Sequence, residues 1–328
     1  MQNLATQYGS IFYIRLGFSN CIVISSATMA NEIFKTHDLD FAQHPKLAFA
    51  DEIPYARCGF FSAPYGDYWR FIKKLCMTEL LSPGQLERSR VVREEELGRF
   101  LRGLVESGKK KEVVNMGAEL MKLTNNIICT MAMSTRCSEK DDEADKIRGY
   151  LKIAYKTGSK GPGLIGDTLG PLSRLIFWLY GKEAMDNLQG VDELLERMLK
   201  KHEDQIGKRE CEDLMDILLK VYRDDKAEAK IMSRTHLKAF LFVSRSTVEE
   251  TFLTFGAGRR ACPGSRLGLI MMHSAVATMV QCFDWKFCGD GHNGGKINME
   301  VGKGLFIHLA QPLICLPVVH FNPFAASI

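Results

Sequence analysis

The sequence carries few of the features that mark a specialised class. With 10 Pro and 28 Gly in 328 residues, it has too little of either to be collagen-like or a low-complexity linker. Its ten cysteines, at 21, 58, 76, 129, 137, 211, 262, 282, 288 and 315, form no C-x-x-C pair and keep no regular interval. That argues against a zinc knuckle or a disulfide framework and predicts reduced thiols in the cytosol or facing it. No apolar run reaches 18 residues and residues 1–9 are polar, so neither a membrane span nor a signal peptide is expected. Lys and Arg (43) exceed Asp and Glu (39) by four and are scattered apart from Lys109, Lys110 and Lys111. Without a basic stripe, no nucleic-acid partner is expected. What remains is ordinary globular material, 46% hydrophobic and 25% charged, long enough for two domains or one large one with a sizeable core.

Periodicity predicts a mostly α chain with small β-sheets at both ends. Residues 11–16 and 21–25 read as a hairpin, and Ser26 caps a helix to about residue 36 with Met29, Ile33 and Phe34 on one face. An irregular stretch, 41–66, follows. Helical spacing then recurs over 67–82, 85–105, 116–133, 143–155, 191–206, 213–222 and 234–243. A short apolar run at 251–255, an apolar helix at 265–283 and strand-like runs complete the chain. No internal repeat is present.

Chemistry concentrates in Phe255-Gly256-Ala257-Gly258-Arg259-Arg260-Ala261-Cys262-Pro263-Gly264, directly before the apolar helix. A cysteine there meets the N–H groups of a helix N-terminus and two guanidinium neighbours. Both favour the thiolate, so Cys262 is the best candidate for a nucleophile or metal ligand. Gly256-x-Gly258-x-x-Ala261 also satisfies a dinucleotide-binding turn, but that turn needs a βαβ unit, and no further helix and strand follow. A phosphatase-like nucleophile needs Arg six positions on, where Gly268 stands; Arg266 comes too early. A buried structural cysteine is the ordinary alternative. Against it stand two arginines that are costly beside an apolar site unless an anion binds there.

The spacing Phe-x-x-Gly-x-Arg-x-Cys-x-Gly, met by Phe255, Gly258, Arg260, Cys262 and Gly264, resembles the haem-binding loop of the cytochrome P-450 monooxygenases. The resemblance implies haem b with its iron ligated by the Cys262 thiolate, which donates electron density and favours O–O cleavage. It also implies Arg260 paired with a propionate, and Gly258 and Gly264 letting backbone approach the ring and the sulfur. A second patch, residues 63–76, is similar to the helix C region of plant-type members. There, a Trp and a basic residue four later bind a propionate, here Trp69 and Lys73. The family more often has Arg at the second place, so Lys73 offers a point charge instead of a fork. Trp69 as a plain core aromatic is the competing reading. Segments 123–129 and 233–238 look like plant members that oxidise flavonoids, triterpenoids and related metabolites. Residues 49–62, with Phe60 and Phe61, correspond to a substrate-facing region suited to a flat apolar ligand. The resemblance thus implies a monooxygenase inserting one oxygen atom from O2 into a small apolar plant metabolite. Electrons would come from NADPH through NADPH-cytochrome P-450 reductase, on the cytosolic face of the endoplasmic reticulum membrane.

The pattern breaks after the helix at 234–243. The family's oxygen-activating helix carries an acid followed by Thr, and a Glu-x-x-Arg helix comes later. Here Ser244-Arg245-Ser246-Thr247-Val248-Glu249-Glu250 leads directly to the haem loop. The expectation is a single, incomplete cytochrome P-450 domain over 1–328, lacking the N-terminal anchor and an internal block near 243–251, with no catalytic acid–alcohol pair assigned. Thr247, Glu249 and Glu250 offer similar groups but belong to the segment feeding the haem loop. Thr254 replaces a common Pro, and His44 a common Arg before Pro45. Glu87/Arg90 and Glu96/Arg99 have the bare Glu-x-x-Arg spacing on what reads as a surface helix, and are taken as i, i+3 ion pairs. The alternative function is a non-catalytic remnant, from a truncated gene, a spliced transcript or a faulty gene model, that keeps the haem-ligand loop without proton delivery.

Overall fold

The computed structural model describes residues 2–44, 58–60, 62–134, 136, 169–206, 213–224, 232–245, 255–287, 297–302 and 309–324. Helix α1 (Gln2–Tyr8) leads into an antiparallel hairpin of β1 (Ile11–Leu16) and β2 (Ser19–Ile24), with Phe12 opposite Val23. The Ser26 hydroxyl accepts from the Met29 N–H at 3.2 Å and caps α2 (Ala27–Asn31), which widens into a π turn at Glu32–Thr36. A second such turn, Cys76–Leu80, ends α3 (Asp67–Leu75).

Residues 85–105, expected as one helix, form two: α4 (Pro83–Arg88) and α5 (Arg90–Lys110). Ser89 interrupts them, and Arg93 reaches back to the Leu86 carbonyl at 2.6 Å and the Ser89 hydroxyl at 2.7 Å. A side chain thus supplies a donor at the break, which periodicity cannot register. After β3 (Val114–Asn115) comes α6 (Met116–Met133), capped by the Asn115 side chain. The helix expected at 143–155 lies outside the described residues. Helix α7 (Ser173–Glu203) starts well before the expected 191 and runs through Gly181 and Gly190. Each glycine costs about 1 kcal/mol relative to Ala. Packing of Val191, Leu194, Leu195, Met198 and Leu199 into the core offsets that cost. Then follow α8 (Leu214–Arg223), α9 (Arg234–Arg245), α10 (Ser265–Cys282), β4 (Phe283–Phe287) and β5 (Ile314–Val319).

Strands β3, β5 and β4 form an antiparallel sheet in that order. β3 pairs only with Ile314 and Cys315, so Pro317, which has no N–H and is in register with Trp285 of β4 on one side, faces helix α5 on the other. The approach is close: a Cβ on Gly108 of α5 would lie 2.6 Å from the Pro317 carbonyl oxygen. Two apolar cores share α6. Cys129, Ala132 and Met133 pack with Trp69, Ile72 and the inner faces of α7, α8 and α9. Met116, Leu123 and Ile127 pack with α5, α10, β4 and β5.

Two polar networks fix helix positions. Arg234 of α9 grips Glu196 and Glu203 of α7 at 2.7 and 2.8 Å, and Lys238 adds Asp192 and Glu196 at 2.9 and 2.8 Å. The second corrects the reading of Glu96 as half of a surface pair. Glu96 is only 3% exposed and accepts from Arg136 (2.6 and 3.0 Å), Arg99 (2.6 Å) and Asn126 (3.2 Å). Burial alone would raise its pKa, but the Arg136 and Arg99 guanidinium groups outweigh that and lower it. Glu87 and Arg90, by contrast, form an exposed pair 3.5 Å apart, as read.

Candidate functional site

The segment around Cys262 is a tight loop pinned at both ends. The Phe255 carbonyl accepts from the Cys262 N–H at 2.7 Å, and a single 3-10 turn, Gly258–Arg260, lies between them. The Phe255 ring packs against Gly268 of α10, where an added Cβ would sit 3.3 Å from it. Gly258 has φ +67°, and a Cβ there would run into the Phe34 carbonyl oxygen. Its close approach is therefore to the π turn after α2, a more local reason for glycine than approach to a ring. Cys262 is half-buried, three residues before α10. A Cβ on Gly264 would meet the Cys262 Sγ at 3.8 Å, an ordinary van der Waals contact.

The two arginines, read together as anion-binding, have different surroundings. Arg259 is matched within the protein, to Asp38 at 3.1 Å and the Tyr65 hydroxyl at 2.9 Å. Arg260 donates through Nε to Ala42 O at 2.9 Å and through Nη2 to Ala63 O at 2.8 Å, with its guanidinium 4.4 Å over the Trp69 ring. Its Nη1 is buried and has no hydrogen-bond partner among the described residues. Burial pushes the Arg260 pKa down, and among the described residues no carboxylate forms an ion pair with it.

Lys73, one turn after Trp69 on α3, donates to the Arg259 and Ala261 carbonyls and sits 5.1 Å from the Trp69 ring. Its pKa is lowered, first by burial and then by Arg260. His44 is lowered for the same two reasons in the same order. Trp69 is 3% exposed, with its indole N–H donating to Phe60 O at 3.1 Å and its ring between Phe60 and Tyr65. That donor is already used, so Trp69 offers the site a ring face. The structure thus brings Arg260, Lys73 and Trp69 together from positions about 190 residues apart.

Sequence reasoning missed Asp38 and Tyr65, which hold Arg259. Nothing in the spacing links Asp38 to residue 259; only the fold brings α2's π turn against the loop. Of the proposed substrate-facing residues, Phe60 is buried against Trp69, while Phe61 lies outside the described residues, as do Thr247, Glu249 and Glu250.

A family model, Cytochrome P450, matches residues 1–245 and 240–307. The chain belongs to the cytochrome P450 family. It is thereby assigned to the haem b, thiolate-ligated monooxygenases, which are oxidoreductases. Cytochrome P450 705A20 of Arabidopsis thaliana is 30% identical over 449 positions, covering 100% of this chain and 86% of the relative. Beta-amyrin 24-hydroxylase of Glycine max is 27% identical over 462 positions, covering 99% and 89%. A zebra fish cytochrome P450 solved with progesterone aligns with TM-score 0.74 over 96% of this chain and 97% of that one, at 15% identity. At that identity the likeness shows the P450 fold alone. Because 449 positions exceed the 328 residues available, at least 121 positions of the first relative have no counterpart here.

Proposed function

We propose that Cys262 would ligate the haem iron of this P450 and that Arg260 and Lys73, backed by the Trp69 ring, would receive the propionates. The observation that carries this is the Nη1 of Arg260, buried and without a hydrogen-bond partner among the described residues, beside a second desolvated cation. Two cations over one indole are costly unless an anion completes them, and a haem edge is dianionic. When bound, haem supplies thiolate-supported O2 activation, from which one oxygen atom is inserted into substrate. The chain's own groups do the holding. The Phe255 carbonyl fixes the Cys262 N–H and with it the loop that presents the sulfur. Trp69 orients both cations through its ring, its N–H being engaged by Phe60.

On this reading the substrate is a small apolar plant metabolite of flavonoid or terpenoid class, and electrons arrive from NADPH through NADPH-cytochrome P450 reductase at the endoplasmic reticulum. The plant relatives, a beta-amyrin hydroxylase among them, support that class. A second reading rests on a different observation: the family match divides into two stretches that meet at 240–245, and at least 121 positions of the first relative are lacking. The chain is then one P450 domain with an internal block missing near 243–251, a haem-binding remnant without the acid and hydroxyl that deliver protons.

Ferrous-CO spectra test the ligand. The chain should give the red-shifted Soret band of thiolate ligation, and a Cys262→Ser variant that kept that band would refute the assignment. Supplied with reductase and NADPH, stoichiometric hydroxylation of a triterpenoid or flavonoid by the 328-residue chain supports the enzyme. NADPH consumption without product supports the remnant.

A further inference from the structure

Helix α9 opens on Ser233-Arg234-Thr235-His236, and the first and last of these residues exchange hydrogen bonds across its first turn. The Ser233 hydroxyl accepts from the His236 backbone N–H at 3.3 Å, and the His236 Nδ1 accepts from the Ser233 backbone N–H at 3.1 Å. This is a capping box in which an imidazole stands where Glu or Gln ordinarily reaches back. The Ser233 hydroxyl also lies 2.7 Å from Nδ1. Because the Ser233 N–H can only donate, Nδ1 presents its lone pair and the hydrogen-bond network assigns the ring as the neutral Nε2–H tautomer. Gln accepts at every pH, and Glu retains a carbonyl oxygen when protonated. An imidazolium has no acceptor at all.

We propose that Ser233 and His236 form a proton-released cap: the neutral ring closes the N-terminus of α9, and a proton on Nδ1 opens it. The added proton sets one N–H against another and brings positive charge to the positive end of the helix. The half-buried ring packs 4.1 Å from the Tyr68 ring at 45°, and burial lowers its pKa below the ordinary 6.5. Among the described residues no charged group offsets that burial. Tyr68 of α3 stays a neutral phenol, its pKa raised by its own burial and its hydroxyl donating to the Cys58 carbonyl at 2.8 Å. Asp192, Glu196 and Glu203 of α7 are held by Arg234 and Lys238, which project from the side of α9 opposite residue 236. Asp213 and Asp216 close the capping box of α8, with Asp213 also paired to His202, and Glu119 and Lys122 of α6 pair with each other. Since the folded pKa is the lower one, the cap is complete above pH 6.5 and is lost as pH falls below 6.5 through that lower value. Opening frees the turn that carries Arg234, and so loosens one anchor of α9 on α7.

Nitrogen NMR of the ring and amide exchange on the full chain read the cap together. At about pH 8 the His236 ring should carry its proton on Nε2 alone. The Leu237 N–H donates to the Ser233 carbonyl at 3.2 Å and reports the first turn. Its protection factor, corrected for intrinsic exchange, should fall roughly 2- to 30-fold between about pH 7 and about pH 5, the equivalent of a lost cap. Glu196, held down at about 2, stays ionised across that window. His236→Gln keeps an acceptor at the same position, so it should retain the protection and lose the pH dependence. His236→Ala should be as weakly protected at about pH 7 as the unaltered chain is at about pH 5. A proton on Nδ1 at about pH 8, protection that ignores pH, or an undiminished pH response in His236→Gln would each overturn the proposal.

Discussion

Replacing Arg260 separates its service to the fold from its service to the cofactor. The guanidinium donates to the Ala42 and Ala63 carbonyls, of residues 1% and 0% exposed, and covers the Trp69 ring at 4.4 Å. Arg260→Ala leaves two buried acceptors without donors, at about 1–3 kcal/mol each, and removes a cation–π contact worth up to about 2 kcal/mol when desolvated. Nη1 takes no part in those contacts. If it meets a propionate, its loss costs a further charge-assisted bond of about 1.5–3 kcal/mol. At 1.4 kcal/mol per tenfold, haem Kd should rise by roughly 10- to 150-fold. Arg260→Lys keeps the charge and loses the fork, so it should lose less haem affinity than Ala while still destabilising the apoprotein. Urea unfolding of the apoprotein reads the first quantity, and haem titration of the folded protein reads the second. The Soret position of the ferrous-CO form should not move, since the ligand is untouched. If Arg260→Ala destabilised the apoprotein but left haem Kd within about twofold, the propionate assignment would be wrong.

Gly258→Ala should destabilise the loop by more than the about 1–2 kcal/mol of a left-handed alanine, because its Cβ also meets the Phe34 carbonyl; haem-free thermal unfolding measures it, and a neutral substitution would contradict the packing. Glu96→Gln removes the buried carboxylate charge that Arg136 and Arg99 share and should cost about 3 kcal/mol, whereas Glu87→Gln, from an exposed pair, should stay within about 0.5 kcal/mol. Equal losses in denaturant titrations would restore the surface reading of Glu96. Hydrogen bonds from Arg234 and Lys238 hold the Glu196 carboxyl down at about 2, against an ordinary 4.5. Because the folded pKa is the lower one, this docking of α9 on α7 stabilises fully above the ordinary range and is lost as pH falls from 4.5 through about 2. Amide exchange in α9 should accelerate over that window, and Glu196→Gln should flatten the response.

The spacing of Phe255, Gly258, Arg260, Cys262 and Gly264 identified the loop and the family by itself, because backbone geometry around a cysteine is a local matter and local requirements leave fixed intervals. The same holds for Ser26 as a cap, for the first hairpin and for α6, each decided within a few residues. The pairing of Trp69 with Lys73 was legible as a helical interval of four. What that pair does was not. Whether an indole N–H is free or engaged depends on Phe60, and which of two adjacent arginines keeps an unused donor depends on Asp38 and Tyr65. Glu96 shows the same limit: its spacing to Arg99 is identical in kind to that of Glu87 to Arg90. Only the packing of α5 against α6, which buries one carboxylate beside Asn126 and Arg136 and leaves the other in water, gives the two pairs different energies. Burial is a property of distant elements brought together, and it decides the strength of every charge a sequence can only name.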